Sequence, residues 1–499
     1  MARVDYFSDT AVLTNLKAST MRGGLFVALS QIIRTFLQFL TIPILARLLD
    51  PADFGLVAMV TVVTGLAGMF VDAGLSMATV QRSSITRQQV SNLFWIASGL
   101  GLLIALLVAS SSPAIAWLYN EPRLIWITLA MSASFVFSGL TIQHAALMRR
   151  AMQFKQLAFI QALCGILSQG VGVVWAWWFA NYWALVLMTL IASLSNMILI
   201  WIIVGWRPGW YTKRVGTRTL VSFGATLTGA NFVNYFSRNA DYMLIGWYWG
   251  EIPLGLYERA YRLLLFPLQQ VMAPMTAVAI PALSRLKENP GKYRDYFRMG
   301  VSLSNLVMIP IVAFSIVMAK PIILTMLGSQ WLEAVPIFLA LTPAALIATT
   351  APASHWVWIS WGQPQKMLYV TFVTATCNVL GFVIALPWGP QAVALSFSIV
   401  AVVLRLPVVL YCFHSTPLRL RDQLEPMWRP GYAAMAAGIM LYLLVSKQVF
   451  GNAAYWNLIP AILFYGLAYF AFWNVTPQGR NELIQVVGHV KSGMKTKHT

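Results

Sequence analysis

Residues 49–56 read Leu49-Asp50-Pro51-Ala52-Asp53-Phe54-Gly55-Leu56, and at an offset of 200 the chain reads Trp249-Gly250-Glu251-Ile252-Pro253-Leu254-Gly255-Leu256. Gly55 and Gly255 coincide. The apolar stretch before each copy carries a matching polar set: Gln31, Arg34, Gln38 and Thr41 in the first, Asn231, Asn234, Arg238 and Asp241 in the second. Steps of three or four residues place each set on one face of a helix. A repeated helix with a polar stripe, followed by a repeated turn, implies two related halves with a polar interior.

Outward from this repeat, composition decides the solvent. Of 499 residues, 59% are hydrophobic and 10% charged, too few polar residues to cover a water-soluble surface. The apolar residues fall into stretches long enough, at 1.5 Å per residue, to cross a hydrocarbon core of about 30 Å as helices. A transmembrane β-barrel would need short alternating segments, and stretches such as residues 96–108 and 337–349 do not alternate. The first twenty residues are too polar for a secretion signal, and Cys164, Cys377 and Cys412 are too far apart for a disulfide framework or a metal cluster.

Hydropathy and turn residues predict about fourteen spans, centred near Phe36, Gly65, Leu102, Ala133, Leu167, Ala192, Asn231, Leu268, Val307, Ala344, Thr376, Ile399, Ala437 and Tyr465. The net charge of +19 is distributed by topology and does not point to nucleic acid. Alternate connections carry Arg82 and Arg87, then Arg149, Arg150 and Lys155, then Arg207, Lys213, Arg214 and Arg218, then Arg285, Lys287, Lys292, Arg294 and Arg298. Lys366, the group Arg419, Arg421 and Arg429, and both termini continue that set, whereas the other side holds Arg47, Arg123, Lys320 and Lys447. The positive-inside rule then places both termini in the cytoplasm. Six spans separate the repeated helices, so the two halves run parallel. The expected organisation is an all-α integral membrane protein with six-helix lobes at residues 1–215 and 216–413 around a central cavity. Two further spans and a cytoplasmic tail occupy residues 414–499.

Charges within a membrane span are expensive, about 3 kcal/mol each on insertion scales, and mark candidate sites. Arg34, Arg238, Arg259, Arg262 and Arg405 qualify, accompanied by Asp72, Asp241 and Glu258. The arginine excess suits an anionic ligand, because guanidinium matches phosphate or carboxylate in a bidentate manner. Arg34 sits mid-span with no acid within a turn. Arg238 and Asp241 are three residues apart and either neutralise each other or contact ligand. Glu258, Arg259 and Arg262 either line the cavity or reach to the interface. Gln31, Gln38, Asn231 and Asn234 are the polar lining. Asp72, Asp241 and Glu258 are the groups available for ion coupling, with an ordering role for the adjacent turn as the other reading of Asp72. His144 and His355 are read as packing residues, with a proton relay as the other role. Pro267, Pro274 and Pro281 recur every seven residues and bend one helix on nearly one side, which suits a rocking mechanism. No P-loop, nucleophile elbow or metal motif occurs, so no ATP hydrolysis, enzymatic chemistry or cofactor is expected.

The stretch from Leu45 to Gly55, with Asp72-Ala73-Gly74-Leu75 and Val80-Gln81-Arg82, resembles the start of Wzx-type polysaccharide-unit flippases of the multidrug/oligosaccharidyl-lipid/polysaccharide exporter superfamily. Asn239 to Gly246, Leu254 to Tyr257, Arg259 to Leu263 and Pro281 to Leu286 resemble the same family's central signature. The resemblance implies an inner-membrane protein with the fold of multidrug and toxin extruders. Its implied substrate is a polyprenyl-diphosphate-linked oligosaccharide, moved to the outer leaflet for exopolysaccharide, capsule or O-antigen assembly. Membrane lipid and other polysaccharide assembly proteins are the implied partners. A drug or metabolite exporter of the same fold would favour an acidic cavity, and a membrane polymerase or ligase of the pathway would need large external loops.

Overall fold

The computed structural model describes residues 16–82, 85–212, 235–236, 238–447 and 458–475, and for residues 16–29 and 32 the backbone alone. Helices are the only regular structure among the described residues. Each expected span centre that falls within the described residues lies in a helix; Asn231 lies outside the described residues. Eleven helices there are long and apolar enough to cross a membrane. The protein is a multi-pass membrane protein. Its chain divides into two compact units, residues 1–258 and 259–499.

The first unit contains α1 (Leu16–Leu48), α2 (Pro51–Asp72), α3 (Leu75–Gln81), α4 (Arg87–Ser110), α5 (Ser112–Tyr119), α6 (Arg123–Arg150), α7 (Phe154–Phe179) and α8 (Trp183–Val204). It also contains α9 (residues 238–249) and the start of α10 (Glu251–Arg285). α2 starts where Pro51 supplies a fixed φ at the first turn and Asp53 accepts from the Asp50 N–H at 3.2 Å. It stops at Ala73 and Gly74, both left-handed (φ 40° and 67°). α4 and α6 pack backbone to backbone at Gly101 and Gly139, where neither position has room for a Cβ. Phe94, Trp201 and Trp206 surround the fully buried His144, whose ring stacks on Trp201 with centroids 4.5 Å apart. The packing role predicted for this histidine matches that aromatic setting.

The second unit holds the rest of α10, then α11 (Pro290–Val317), α12 (Ala319–Met326), α13 (Ala334–Ala348), α14 (Ala351–Ser360), α15 (Pro364–Ala385), α16 (Pro390–Phe413), α17 (Leu420–Ser446) and α18 (Leu458–Val475). α17 packs on α18 through Ala433, Ala434 and Ala437 against Tyr465 and Tyr469. Small residues on one helix let the tyrosines of the other come close. The element succession of the first unit recurs. A long helix followed by an eight-residue helix appears as α4–α5 and again as α11–α12. The next long helix is α6 in the first case, and in the second it is broken at Thr349–Thr350 into α13 and α14. The helix pairs α7–α8 and α15–α16 follow in the same order.

Candidate functional site

The predicted polar stripe of α1 is built on a helix packed along α7. Arg34 is half-buried and donates through Nη2 to Gln31 Oε1, and its aliphatic stem faces Gly165 of α7, where a Cβ would lie 3.8 Å from Arg34 Cγ. Its partner is an amide, with no acid paired to it among the described residues. One turn beyond the half-buried Gln38, the Thr41 hydroxyl lies 2.8 Å from Leu37 O and within hydrogen-bond reach of the Gln169 side-chain amide of α7, its one proton serving either. The stripe thus continues as a row of amides and a hydroxyl, a surface that accepts and donates hydrogen bonds without added charge.

In α9, Arg238 is exposed and Asp241 buried. Asp241 Oδ2 accepts from the Tyr257 hydroxyl at 2.8 Å, and Oδ1 from the Tyr242 N–H at 3.0 Å. A tyrosine sixteen positions later in the sequence, and not the arginine three residues earlier, is the partner of this carboxylate. Tyr257→Phe keeps the packing and removes the donor. It is expected to destabilise the protein by about 1–3 kcal/mol, read as a lower midpoint of thermal unfolding in detergent, because a buried acceptor loses its bond.

Asp72 is committed to the turn after α2. Its Oδ1 accepts from the Ser76 N–H at 2.9 Å and its Oδ2 from the Ser76 hydroxyl at 2.6 Å. Glu258 is buried, Arg259 half-buried and Arg262 exposed along α10. Asn231 and Asn234 lie outside the described residues. Arg405 of α16 donates to Thr350 O at 2.6 Å and Ser354 Oγ at 3.3 Å, so it holds the carbonyl end of the α13–α14 break. A cation there offsets the partial negative charge of exposed helix-end carbonyls.

Sequence reasoning did not foresee an ionic cluster on the charge-poor side of the first unit. Glu121 receives Arg123 Nε at 2.7 Å and Nη2 at 2.8 Å, and the same Nη2 reaches Glu251 Oε1 at 3.1 Å. The bond from Arg123 holds the Glu121 carboxyl below its ordinary range. Both partners of Arg123 are visible in the sequence as isolated acids, but nothing in their spacing joins residue 121 to residue 251. On the arginine-rich side, a cavity of about 480 Å³ is lined by Thr86, Arg87, Gln88, Ser91, Gly209, Trp210 and Thr212. The Asn92 side chain holds the strap after α8 by donating to Thr212 O at 2.6 Å and accepting from Thr212 N at 2.8 Å.

The arrangement is that of a helical multi-pass membrane protein with charged and amide side chains inside its spans. The fold is shared with the "Lipid II flippase MurJ, inward closed conformation" (TM-score 0.72, 16% identity, 90% of this chain and 98% of that one). It is also shared with an inward-facing multidrug resistance MATE family transporter of the MOP superfamily (TM-score 0.60, 13% identity, 80% and 95%). These structural neighbours are transporters and flippases rather than enzymes.

The chain belongs to the polysaccharide biosynthesis protein family, whose profile matches residues 44–336, more than half of its length. It is 24% identical to the teichuronic acid biosynthesis protein TuaB of Bacillus subtilis (strain 168) over 95% of this chain and 99% of that one. It is 23% identical to the lipopolysaccharide biosynthesis protein WzxC of Escherichia coli (strain K12) over 86% and 88%. A third relative is the succinoglycan biosynthesis transport protein ExoT of Rhizobium meliloti (strain 1021), 25% identical over 60% and 61%. The family and the extruder-like fold expected from the sequence are both borne out.

Proposed function

We propose that this protein is a flippase for polyprenyl-diphosphate-linked oligosaccharide repeat units. It carries them from the cytoplasmic to the outer leaflet of the bacterial inner membrane, for assembly of a surface polysaccharide. Membership of the polysaccharide biosynthesis family and a fold shared with a lipid-linked flippase support the class. The observation that carries the substrate chemistry is Arg34, a guanidinium within a membrane helix whose partner is an amide and not an acid. A diphosphate supplies the missing negative charge, and the amides of Gln31 and Gln38 offer bonds to sugar hydroxyls.

In this reading residues 1–215 and 216–413 act as two lobes that rock about the headgroup, residues 414–499 add a further helix pair, and both termini lie in the cytoplasm. The lipid tail stays in the bilayer throughout, so only the polar headgroup needs an interior path. Arg238, Arg259 and Arg262 extend the cationic path, with Asn231 and Asn234 as lining. Resetting by ion coupling draws on Asp241 or Glu258, whereas Asp72 has both oxygens occupied by Ser76.

The test is the leaflet distribution of the lipid-linked oligosaccharide in cells depleted of this protein and supplied with wild-type or Arg34→Ala copies. Depletion is expected to strand complete units on the cytoplasmic leaflet. Wild type should clear them, and Arg34→Ala should be slower by roughly tenfold or more, the loss of a charge-assisted contact worth about 1.5–3 kcal/mol. A normal distribution on depletion, in cells without a second flippase, excludes the reading.

A further inference from the structure

We infer that α14 is a movable link within the second unit. It travels with the neighbouring parts of α10 and α11 while α13, α15 and α16 stay together, and Arg405 is the positioning residue that bridges the two bodies. A joint stands at each end of this ten-residue helix. At its start the N–H groups of Thr349 and Thr350 turn back to Leu346 O and Ile347 O, three residues earlier, and Pro352 has no N–H to give. At its end Gly362 takes a left-handed φ of 66°, with nothing within 4 Å of an added Cβ.

Large buried side chains lock α14 to α10 and α11. Trp356 Nε1 donates to Thr276 Oγ1 at 3.0 Å, and the Trp356 ring lies 3.2 Å from where a Cβ on Gly300 would be. The Tyr293 hydroxyl and Ser360 Oγ share a bond at 2.8 Å. Trp356 and Tyr293 are both buried, so their rings hold α14 in register with α10 and α11. Before the break the grip is on α16 instead. Ser398 donates to Ala340 O at 2.6 Å and accepts from the Ala344 N–H at 3.2 Å, so one short side chain holds a single rung of α13. The start of α15 is held beside the end of α16, where Lys366 Nζ and Gln363 Nε2 donate to Ser415 Oγ at 2.7 Å and 3.0 Å.

From α16 to α14 the tie is a long arm. Arg405 reaches Thr350 O at 2.6 Å and Ser354 Oγ at 3.3 Å, and its buried Nε has no partner among the described residues. Two turns further on the same face, Cys412 Sγ lies 3.7 Å from Ser354 O, a weak bond. A flexible arginine can follow α14 as it moves, where the short Ser398 could not, and the spare donor leaves its fork room to change acceptor. In the first unit α6 stands in the place of α13–α14 and is unbroken, and α8, in the place of α16, has no charged residue. The break and the arginine thus occur together in one copy of the repeat. α14 is about 15 Å long, so a swing of about 20° carries its end about 5 Å. The use of this movement in transport rests on the flippase reading, whereas the movement itself does not depend on what is carried.

The test is double electron–electron resonance between nitroxide labels on the full chain in lipid nanodiscs, with Cys164→Ala, Cys377→Ala and Cys412→Ser as background. Leu368→Cys in α15 paired with Met299→Cys in α11 spans the two bodies. Leu368→Cys paired with Leu332→Cys, beside the start of α13, lies within one of them, and all three positions are exposed. The first pair is expected to give distances spread over about 5 Å and the second a narrow distribution. Arg405→Met should broaden and shift the first pair and leave the second unchanged, and Arg405→Lys, which keeps a cation for Thr350 O, should lie between. Joining the helices with Thr349→Ala, Thr350→Ala and Pro352→Ala together should narrow the first pair to a single distance. Equally narrow distributions for both pairs in the wild type overturn the inference, as does an Arg405→Met variant in which both pairs shift together or neither does. Should Arg405→Met not be recovered folded, Arg405→Lys decides, and an unchanged first pair overturns it. The expected spread, with oligosaccharide left unmoved in cells, would count against the flippase reading alone.

Discussion

Leucine in place of Gly139 is expected to leave little folded protein in the membrane. A Cβ at Gly139 would lie 2.7 Å from Ala97 O and 3.3 Å from Gly101 Cα, and one at Gly101 would lie 2.6 Å from Phe135 O. The neighbours are backbone atoms of α4 and α6, which have no rotamer to change. A leucine therefore separates the two helices along their contact. Within a bilayer no hydrophobic force compensates, since lipid is as apolar as the core, and association rests on close packing. Overpacking typically costs about 1–3 kcal/mol, and a clash with backbone lies at or above the top of that range. Gly99 is the internal control: it lies on α4 near the same contact and has nothing within 4 Å of an added Cβ. Gly99→Ala should be neutral or stabilising, because alanine favours helix by about 1 kcal/mol over glycine. Fluorescence-detected size exclusion and thermal unfolding of the three forms measure the contrast. Equal profiles for Gly139→Leu and wild type would refute the packing argument.

The second large effect is expected at Asp422. This carboxylate, 2% exposed, accepts Arg294 Nε and Nη2 at 3.1 Å each and also the Arg419 N–H at 2.8 Å, so it clamps α17 to α11 while capping α17. Removing one partner of a buried pair costs about 3–5 kcal/mol, but Arg294 is 34% exposed and keeps access to water, which reduces the loss to about 2–3 kcal/mol. Asp422→Ala should lower the midpoint of thermal unfolding accordingly. Asp422→Asn retains an acceptor for the cap and should lose less. Glu425, 36% exposed and held by Arg298, is the contrast, and Glu425→Gln should cost under about 1 kcal/mol. If Asp422→Ala and Glu425→Gln behaved alike, the burial of Asp422 would not be what matters.

The spans were legible in the sequence because length and hydropathy alone define a helix in lipid. The short helices α5 and α12 were not, since each has only eight residues and follows directly on the long helix before it. The α13–α14 break at Thr349–Thr350 was hidden for the same reason, with Pro352 as its one local mark. Arg34 could be singled out because a charge between two amides in mid-span has no local explanation. The partner of Asp241 could not, because Tyr257 reaches it through the fold, and the nearer Arg238 offered a simpler but different pairing. Gly55 and Gly255 were legible as equivalents. Alignment of a chain with itself shows which positions correspond, but it carries no information on whether corresponding positions touch.

The prolines of α10 have a consequence for how its chemistry can be mapped. Pro267, Pro274 and Pro281 all lie inside this continuous helix, and each leaves the carbonyl four residues earlier without its helical donor. The carbonyls of Leu263, Gln270 and Ala277 thus lack their helical donor, spaced about 10 Å apart and nearly aligned along the helix. Two of those three residues are apolar, so truncating their side chains leaves the acceptors intact. An alanine scan would report this row as inert, and only replacement of the prolines themselves would silence it.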